Sequence, residues 1–216
     1  MSVYKPQKIA VLGIHRSGTS MVTRLLNIAG LKLGSNLLRA NKYNKRGHWE
    51  DREVVYLNEL ILKLLGGSWC KKPNLMRDDW WEHMPEVFIS QAKEVKAELI
   101  KDPRLCLTIP FWKKFFDFKF IVVKRNKESV IKSINQKKSM FSVEQCQGIY
   151  DFYHENLQAN IKGEIYSELE YEDFFTNKES PTLIQLALRD IGIRALLSSE
   201  QREEMKKFVK LSLKHH

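Results

Sequence analysis

Apolar positions along this chain repeat with two periods, and the two alternate. A short apolar run at residues 9–12 reads as a buried strand, and strand-like stretches follow at 98–101, at the β-branched 119–124 and at 165–171. Between them, apolar residues recur at three- and four-residue spacing, as in Val54, Leu57, Leu60, Ile61 and Leu64. That spacing predicts helices over 17–30, 53–65, 80–96, 105–116 despite Pro110, 127–138, 143–159, 182–191 and 200–213. Punctuation agrees with these bounds: Gly66-Gly67 stops a helix, Asn126 can cap the next one, and Ser180-Pro181 places an N-cap before a first-turn proline. Ser198 and Gln201 form a capping box at the start of the last helix. Strands alternating with helices argue for a central parallel sheet covered on both faces, a three-layer α/β/α domain. No repeat, low-complexity tract or Pro/Gly linker divides the chain, so residues 1–214 read as a single domain. His215 and His216 read as a purification-tag remnant.

The first strand opens into Gly13-Ile-His-Arg-Ser-Gly18, followed by Thr19-Ser20 and a helix. Strand, glycine-bounded loop and helix N-terminus together make a phosphate cradle, because loop amides converge there on the positive end of the helix. The glycine spacing is that of a Walker A loop, G-x-x-x-x-G, so the expected fold is P-loop NTPase-like. Thr19 stands where the Walker lysine belongs, and the cation comes three residues earlier as Arg16. The loop should hold phosphate without the lysine that nucleoside triphosphatases need.

Charge extends this picture. Lys plus Arg number 36 against 26 Asp plus Glu in 216 residues, a net +10 that favours an anionic ligand. No basic run or nucleic-acid motif accompanies it, and nucleic acid is not an expected partner. No apolar stretch has the length of a membrane span and no signal-peptide pattern opens the chain, which points to the cytoplasm. Cys70, Cys106 and Cys146 are three, widely spaced, which fits a reducing compartment. Neither they nor the histidines show zinc-ligand spacing, so no metal is expected.

A parallel sheet gathers ligands at the carboxyl ends of its strands. Three chemically loaded segments fall there: His15–Ser20, Lys101-Asp102-Pro103-Arg104, and Lys124-Arg125-Asn126. They should face one crevice. With these residues in place, the chain resembles the P-loop sulfotransferases, which use 3′-phosphoadenosine 5′-phosphosulfate (PAPS). The loop at 13–20 is similar to that family's 5′-phosphosulfate loop, with a cation before Ser-Gly-Thr. Phe120-Ile-Val-Val-Lys-Arg125 followed by Ser133 resembles its 3′-phosphate motif, and Leu169-Glu-Tyr-Glu-Asp-Phe-Phe175 its late Tyr-Glu-Asp segment.

The resemblance implies sulfuryl transfer from PAPS to a hydroxyl or amine acceptor, a glycan or other polar metabolite, by in-line displacement with release of adenosine 3′,5′-bisphosphate (PAP). It implies that the backbone of His15 lines the cradle, that Arg16, Ser17, Gly18, Thr19 and Ser20 hold the phosphosulfate, and that Arg125 and Ser133 hold the 3′-phosphate. Lys101 resembles the lysine of a Lys-Asp-Pro segment that contacts the transferring group in some family members. Arg16 and Lys101 neutralise charge in the reaction, so no metal is called for. The general base is expected to be Glu50, with His48 and Asp102 as alternatives. Glu50 and His48 lie in a Gly47-His-Trp-Glu-Asp51 segment, preceded by Lys45-Arg46, that resembles one bacterial branch. The Arg-Lys-Gly segment that completes the 3′-phosphate site elsewhere in the family has no counterpart; the last helix offers Arg202, Lys206 and Lys207. Segments 31–46 and 66–81, with Trp69, Trp80 and Trp81, are the expected acceptor walls. Two other readings remain from the residues alone: a nucleotide or metabolite kinase with a degenerate loop, and a non-catalytic nucleotide- or polyanion-binding module.

Overall fold

The computed structural model describes residues 4–40, 47–137, 141–176 and 179–213. Lys45, Arg46, residue 138 and the terminal His215 and His216 lie outside them. In chain order the elements are β1 (Gln7–Leu12), α1 (Thr19–Ile28), α2 (Arg52–Leu64), α3 (Glu86–Lys93), β2 (Leu99–Lys101), α4 (Leu105–Trp112), β3 (Asp117–Lys124), α5 (Lys127–Lys137), α6 (Val143–Ile161), β4 (Tyr166–Glu170), α7 (Ser180–Asp190) and α8 (Ser199–Leu213). The four strands form one sheet in the order β2-β1-β3-β4, and every pairing is parallel. In register, Ile9 lies opposite both Leu99 and Lys119, and Phe120 opposite Tyr166.

Alternation along each strand divides the core into two layers. Ile9 and Val11 of β1, with Ile121 and Val123 of β3, pack against α1, α7 and α8. Ala10 and Leu12, with Phe118, Phe120 and Val122, pack against α2 to α6. Both faces being covered explains why β1 and β3 read as continuous apolar runs. By contrast β4, at the end of the sheet, alternates, with Ser167 and Leu169 buried between exposed Tyr166, Glu168 and Glu170. The architecture is the expected three-layer α/β/α sandwich.

Several bounds differ from the pattern reading, each for a local reason. The helix expected over 80–96 is broken into a 3₁₀ turn at Trp80–His83 and α3. Pro85 drives the preceding Met84 to an extended φ of −73° and ψ of 142°. The helix expected to begin at residue 17 begins instead at Thr19, with Gly18 as its cap at φ 98° and no side-chain cap bond. Ser180 falls inside α7, whose cap is Glu179, and the Ser180 hydroxyl is buried without a hydrogen-bond partner.

Pro110 is tolerated inside α4 because a distant side chain replaces the bond it removes. The orphaned acceptor one turn back is the Cys106 carbonyl, and Asn160 Nδ2 of α6 donates to it at 2.9 Å. Asn160→Ala is therefore expected to lower unfolding stability by about 1–3 kcal/mol, the cost of an unpaired buried acceptor. Urea unfolding checks this, and an unchanged midpoint would contradict it.

Candidate active site

The loop between β1 and α1 is shaped by glycines. A side chain at Gly13 would meet Ser17 Oγ and Thr19 Cγ2 at 2.7 Å and the Val123 carbonyl at 2.8 Å. One at Gly18 would meet the Tyr171 ring at 2.1 Å, and Gly18 also has a left-handed backbone. Inside the loop, the Ser17 amide donates to the Ile14 carbonyl at 3.0 Å. The first amides of α1, at Thr19 and Ser20, have no carbonyl one turn back within the helix and face outward as donors.

Arg16 stands at φ 74°, and Trp49 at φ 56°; among the described residues these are the non-glycine positions with positive φ. Left-handed backbone at an arginine and a tryptophan is strained, and such strain gathers at functional sites. Arg16 lies within the loop, and Trp49 immediately precedes Glu50, its ring 4.8 Å from the Arg24 guanidinium. Arg16 Nε donates to Ser133 Oγ of α5 at 2.9 Å. Arg125, at the end of β3, donates from Nη1 to the Arg16 carbonyl at 2.9 Å, and its guanidinium lies 4.5 Å from the centre of the Tyr171 ring. Tyr171 thus supports both Gly18 and Arg125. Residues from three separate segments form one basic cluster, where parallel strand ends predict it.

On the opposite side of the loop, Lys101 ends β2 with a side chain that is 1% exposed. Its ammonium donates to Glu50 Oε1 and, at 3.1 Å, to Ser20 Oγ. Glu50 is held by its neighbours: its carbonyl accepts from the Leu38 amide at 2.8 Å, and the next residue, Asp51, caps α2 by accepting from the Glu53 amide at 2.9 Å. Gly34 is required beside this cap, since a side chain there would overlap Asp51 Oδ2. Asp102 is fully buried, and its oxygens accept from Asn58 Nδ2 (2.8 Å), the Arg104 amide (3.1 Å) and Arg104 Nη1 (2.8 Å). Burial pushes the Asp102 carboxyl up from the ordinary range, and Arg104 opposes the shift.

His15 extends beyond the cradle. Its ring lies edge-on to Trp69 at 4.9 Å and to Tyr153 at 5.3 Å, with Nε2 3.3 Å from the Tyr153 hydroxyl. Burial, reinforced by the fields of Arg104, Lys101, Lys137 and Arg16, holds the imidazole well below its usual titration range, in the neutral form. His48 is lowered too, first by burial, although Glu50 works against the shift. Phe141 packs 6.0 Å from Trp69 and continues an aromatic wall.

All of the expected site residues on the loop, β2, β3 and α5 come to one region. Of the three tryptophans, Trp69 belongs to the site, whereas Trp80 is buried in the core and Trp81 packs against it. Arg202 and Lys206 of α8 are bound to Gln185 at 2.8 Å and to Glu179 at 3.1 Å. Asn58, Tyr153 and Phe141 carry no local sequence signal for the site, and Tyr171 is marked only by the late Tyr-Glu-Asp segment. Lys137 carries one, lying one turn beyond Ser133 on the same face of α5.

No family model and no curated protein matches the chain. Among solved structures, the sulfotransferase domain from the Synechococcus PCC 7002 olefin synthase is similar at TM-score 0.56 and 15% identity, over 94% of this chain and 78% of that one. The sulfotransferase domain from the curacin biosynthetic pathway is similar at TM-score 0.54 and 13% identity, over 92% of this chain and 77% of that one. The chain has the fold of these domains. Within the described residues, no helix is long and apolar enough to cross a membrane.

Proposed function

We propose that the chain is a sulfotransferase that moves a sulfuryl group from PAPS to a hydroxyl or amine of a small-molecule or glycan acceptor and releases PAP. The observation that carries this reading is the cluster of Arg16, Arg125 and Ser133 on one side of the loop, with the buried Lys101–Glu50 pair bonded to Ser20 on the other. Two arginines and a hydroxyl gathered around a phosphate cradle suit a ligand with two separate anionic groups. The chain's own polar atoms fit such a ligand: Ser17 Oγ and Arg125 Nε are buried without hydrogen-bond partners. When bound, PAPS supplies a sulfuryl group activated by its anhydride link to the 5′-phosphate.

The residues then divide the work. Glu50 is the general base, taking the acceptor proton as the bond from the acceptor oxygen or nitrogen to sulfur forms. Its pairing with Lys101 holds the carboxylate in place to receive that proton. The Lys101 ammonium beside Ser20, the Arg16 guanidinium and the loop amides neutralise the electron pair left on the phosphate side when the old sulfur–oxygen bond breaks. Arg125 and Ser133 hold the 3′-phosphate, and the His15 backbone lines the cradle. His15 itself, neutral and enclosed by aromatics, packs the loop. The wall of Trp69 and Phe141 suits a ring, sugar or aryl, that carries the accepting group.

Thr19 at the Walker lysine position and Lys124-Arg125 at the end of β3, where an acidic metal-binding residue would stand, argue against a triphosphate kinase. Calorimetric titration with PAP, beside ATP plus Mg²⁺, tests the reading. Micromolar PAP binding that ATP does not match is the expected result. Tight ATP binding that ignores the 3′-phosphate would refute the proposal, and PAP binding without transfer to any acceptor would reduce the chain to a binding module.

A further inference from the structure

A buried polar network lies one layer behind the Lys101–Glu50 pair. Asn58, on the buried face of α2 among Val54, Leu57, Ile61 and Leu62, is 0% exposed. Its Nδ2 donates to Asp102 Oδ2 at 2.8 Å. Its Oδ1 accepts from Thr108 Oγ1 at 2.7 Å and from Trp112 Nε1 at 2.8 Å, both on α4. Asp102 completes the circuit by accepting from the amide and Nη1 of Arg104, whose Nη2 returns to Glu59 of α2 at 2.7 Å. A leucine would fill the Asn58 site without any polar group to desolvate. The amide is tolerated only because each partner is matched, and such a network favours one relative placement of the elements it joins.

Those elements carry the proposed reacting groups. Glu50 immediately precedes the cap of α2, and Lys101 immediately precedes Asp102. Any slide or rotation of α2 against the 101–104 turn therefore moves the Glu50 carboxylate relative to the Lys101 ammonium. Asp102, with its oxygens already accepting three hydrogen bonds and 0% exposure, is poorly placed to receive an acceptor proton.

We infer that Asn58 is a positioning residue of this site: its hydrogen bond to Asp102 sets α2 against the end of β2, and Asp102 acts through that bond rather than as the base. The inference rests on the sulfotransferase reading and deepens it by separating the two candidate carboxylates.

An exchange of the two side chains tests it. Asn58→Asp alone sets two carboxylates against each other, and Asp102→Asn alone sets two amide groups against each other. The double variant Asn58→Asp/Asp102→Asn restores the network bond for bond. In it, the amide now at position 102 would accept from Arg104 and donate to the carboxylate now at position 58. That carboxylate would in turn accept from Thr108 and Trp112. Measured quantities are PAP affinity, thermal midpoint, and PAP release from PAPS with 4-nitrophenol as the acceptor, each across pH.

Each single variant is expected to lose about 30- to 100-fold in kcat, the scale of a reacting group displaced by about 1 Å. The exchange is expected to return kcat to within about fivefold of wild type and to recover the lost thermal midpoint, the signature of two coupled positions. It should also keep the wild-type acidic limb of the pH profile. PAP affinity, held by the loop, Arg125 and Ser133, should stay level across all four proteins and report that they are folded. If the exchanged protein binds PAP but turns over no faster than Asp102→Asn, the carboxylate at 102 is itself the base and the inference is overturned. Full turnover by Asn58→Asp would overturn it as well. A wild-type chain that binds no PAP, or that binds it and releases none from PAPS, would instead remove the functional reading, and the inference with it.

Discussion

Lys101→Met is expected to lower turnover by about 1,000-fold while leaving PAP affinity near that of the wild type, the upper range for removing one preorganised stabiliser of transition-state charge. The asymmetry follows from what the ammonium touches. Its partners are the Glu50 carboxylate and the Ser20 hydroxyl, whereas PAP should be held by the loop amides, Arg16, Arg125 and Ser133. PAP also lacks the sulfuryl group on which the lysine acts. A methionine fills the space but leaves Glu50 as a buried carboxylate with no counter-ion, which should cost about 3–5 kcal/mol of stability. Adding Glu50→Gln removes that charge, so the double variant should be more stable than Lys101→Met and equally inactive. Turnover of PAPS, calorimetry with PAP and urea unfolding measure the three quantities. Near-normal turnover in Lys101→Met would show that charge on the leaving side is neutralised elsewhere.

The parts of this site that could be read from sequence are those where chemistry interrupts an apolar pattern at a strand end. Arg16, Lys101 and Arg125 each follow a buried run, and a parallel sheet brings such ends together whatever lies between them. The strand order β2-β1-β3-β4 places the loop between the other two segments, so their convergence needed only the fold class. The supporting contacts could not be read this way. Nothing local to Tyr171 or Tyr153 distinguishes a ring that supports Gly18 or His15 from one that fills the core. Asn58 is a lone amide in a helix, and its partners Asp102, Thr108 and Trp112 are far along the chain. Prolines show the same division. The break at Met84-Pro85 is a local steric effect visible in the sequence, whereas the survival of α4 through Pro110 depends on Asn160 from another helix.

Arg125→Ala should weaken PAP binding by about 10- to 100-fold and leave 5′-AMP binding much less affected, since a hydrogen bond to a charged group contributes about 1.5–3 kcal/mol. The comparison of ligands matters because Arg125 has two roles in the structure. Its Nη1 bonds to the Arg16 carbonyl at 2.9 Å, and its guanidinium packs on Tyr171, so the alanine variant also loosens the loop. Loop damage would weaken both nucleotides alike, because both carry the 5′-phosphate. Loss of a 3′-phosphate contact would affect PAP alone. Arg125→Lys sharpens the distinction: it keeps the charge but loses the planar fork that can grip a phosphate with two bonds, so PAP affinity should fall between wild type and Arg125→Ala. Equal losses for PAP and 5′-AMP would assign Arg125 to loop support and send the 3′-phosphate to another cation. A selective loss for PAP would tie the arginine at the end of β3 to the phosphate that separates a sulfotransferase cofactor from an ordinary nucleotide.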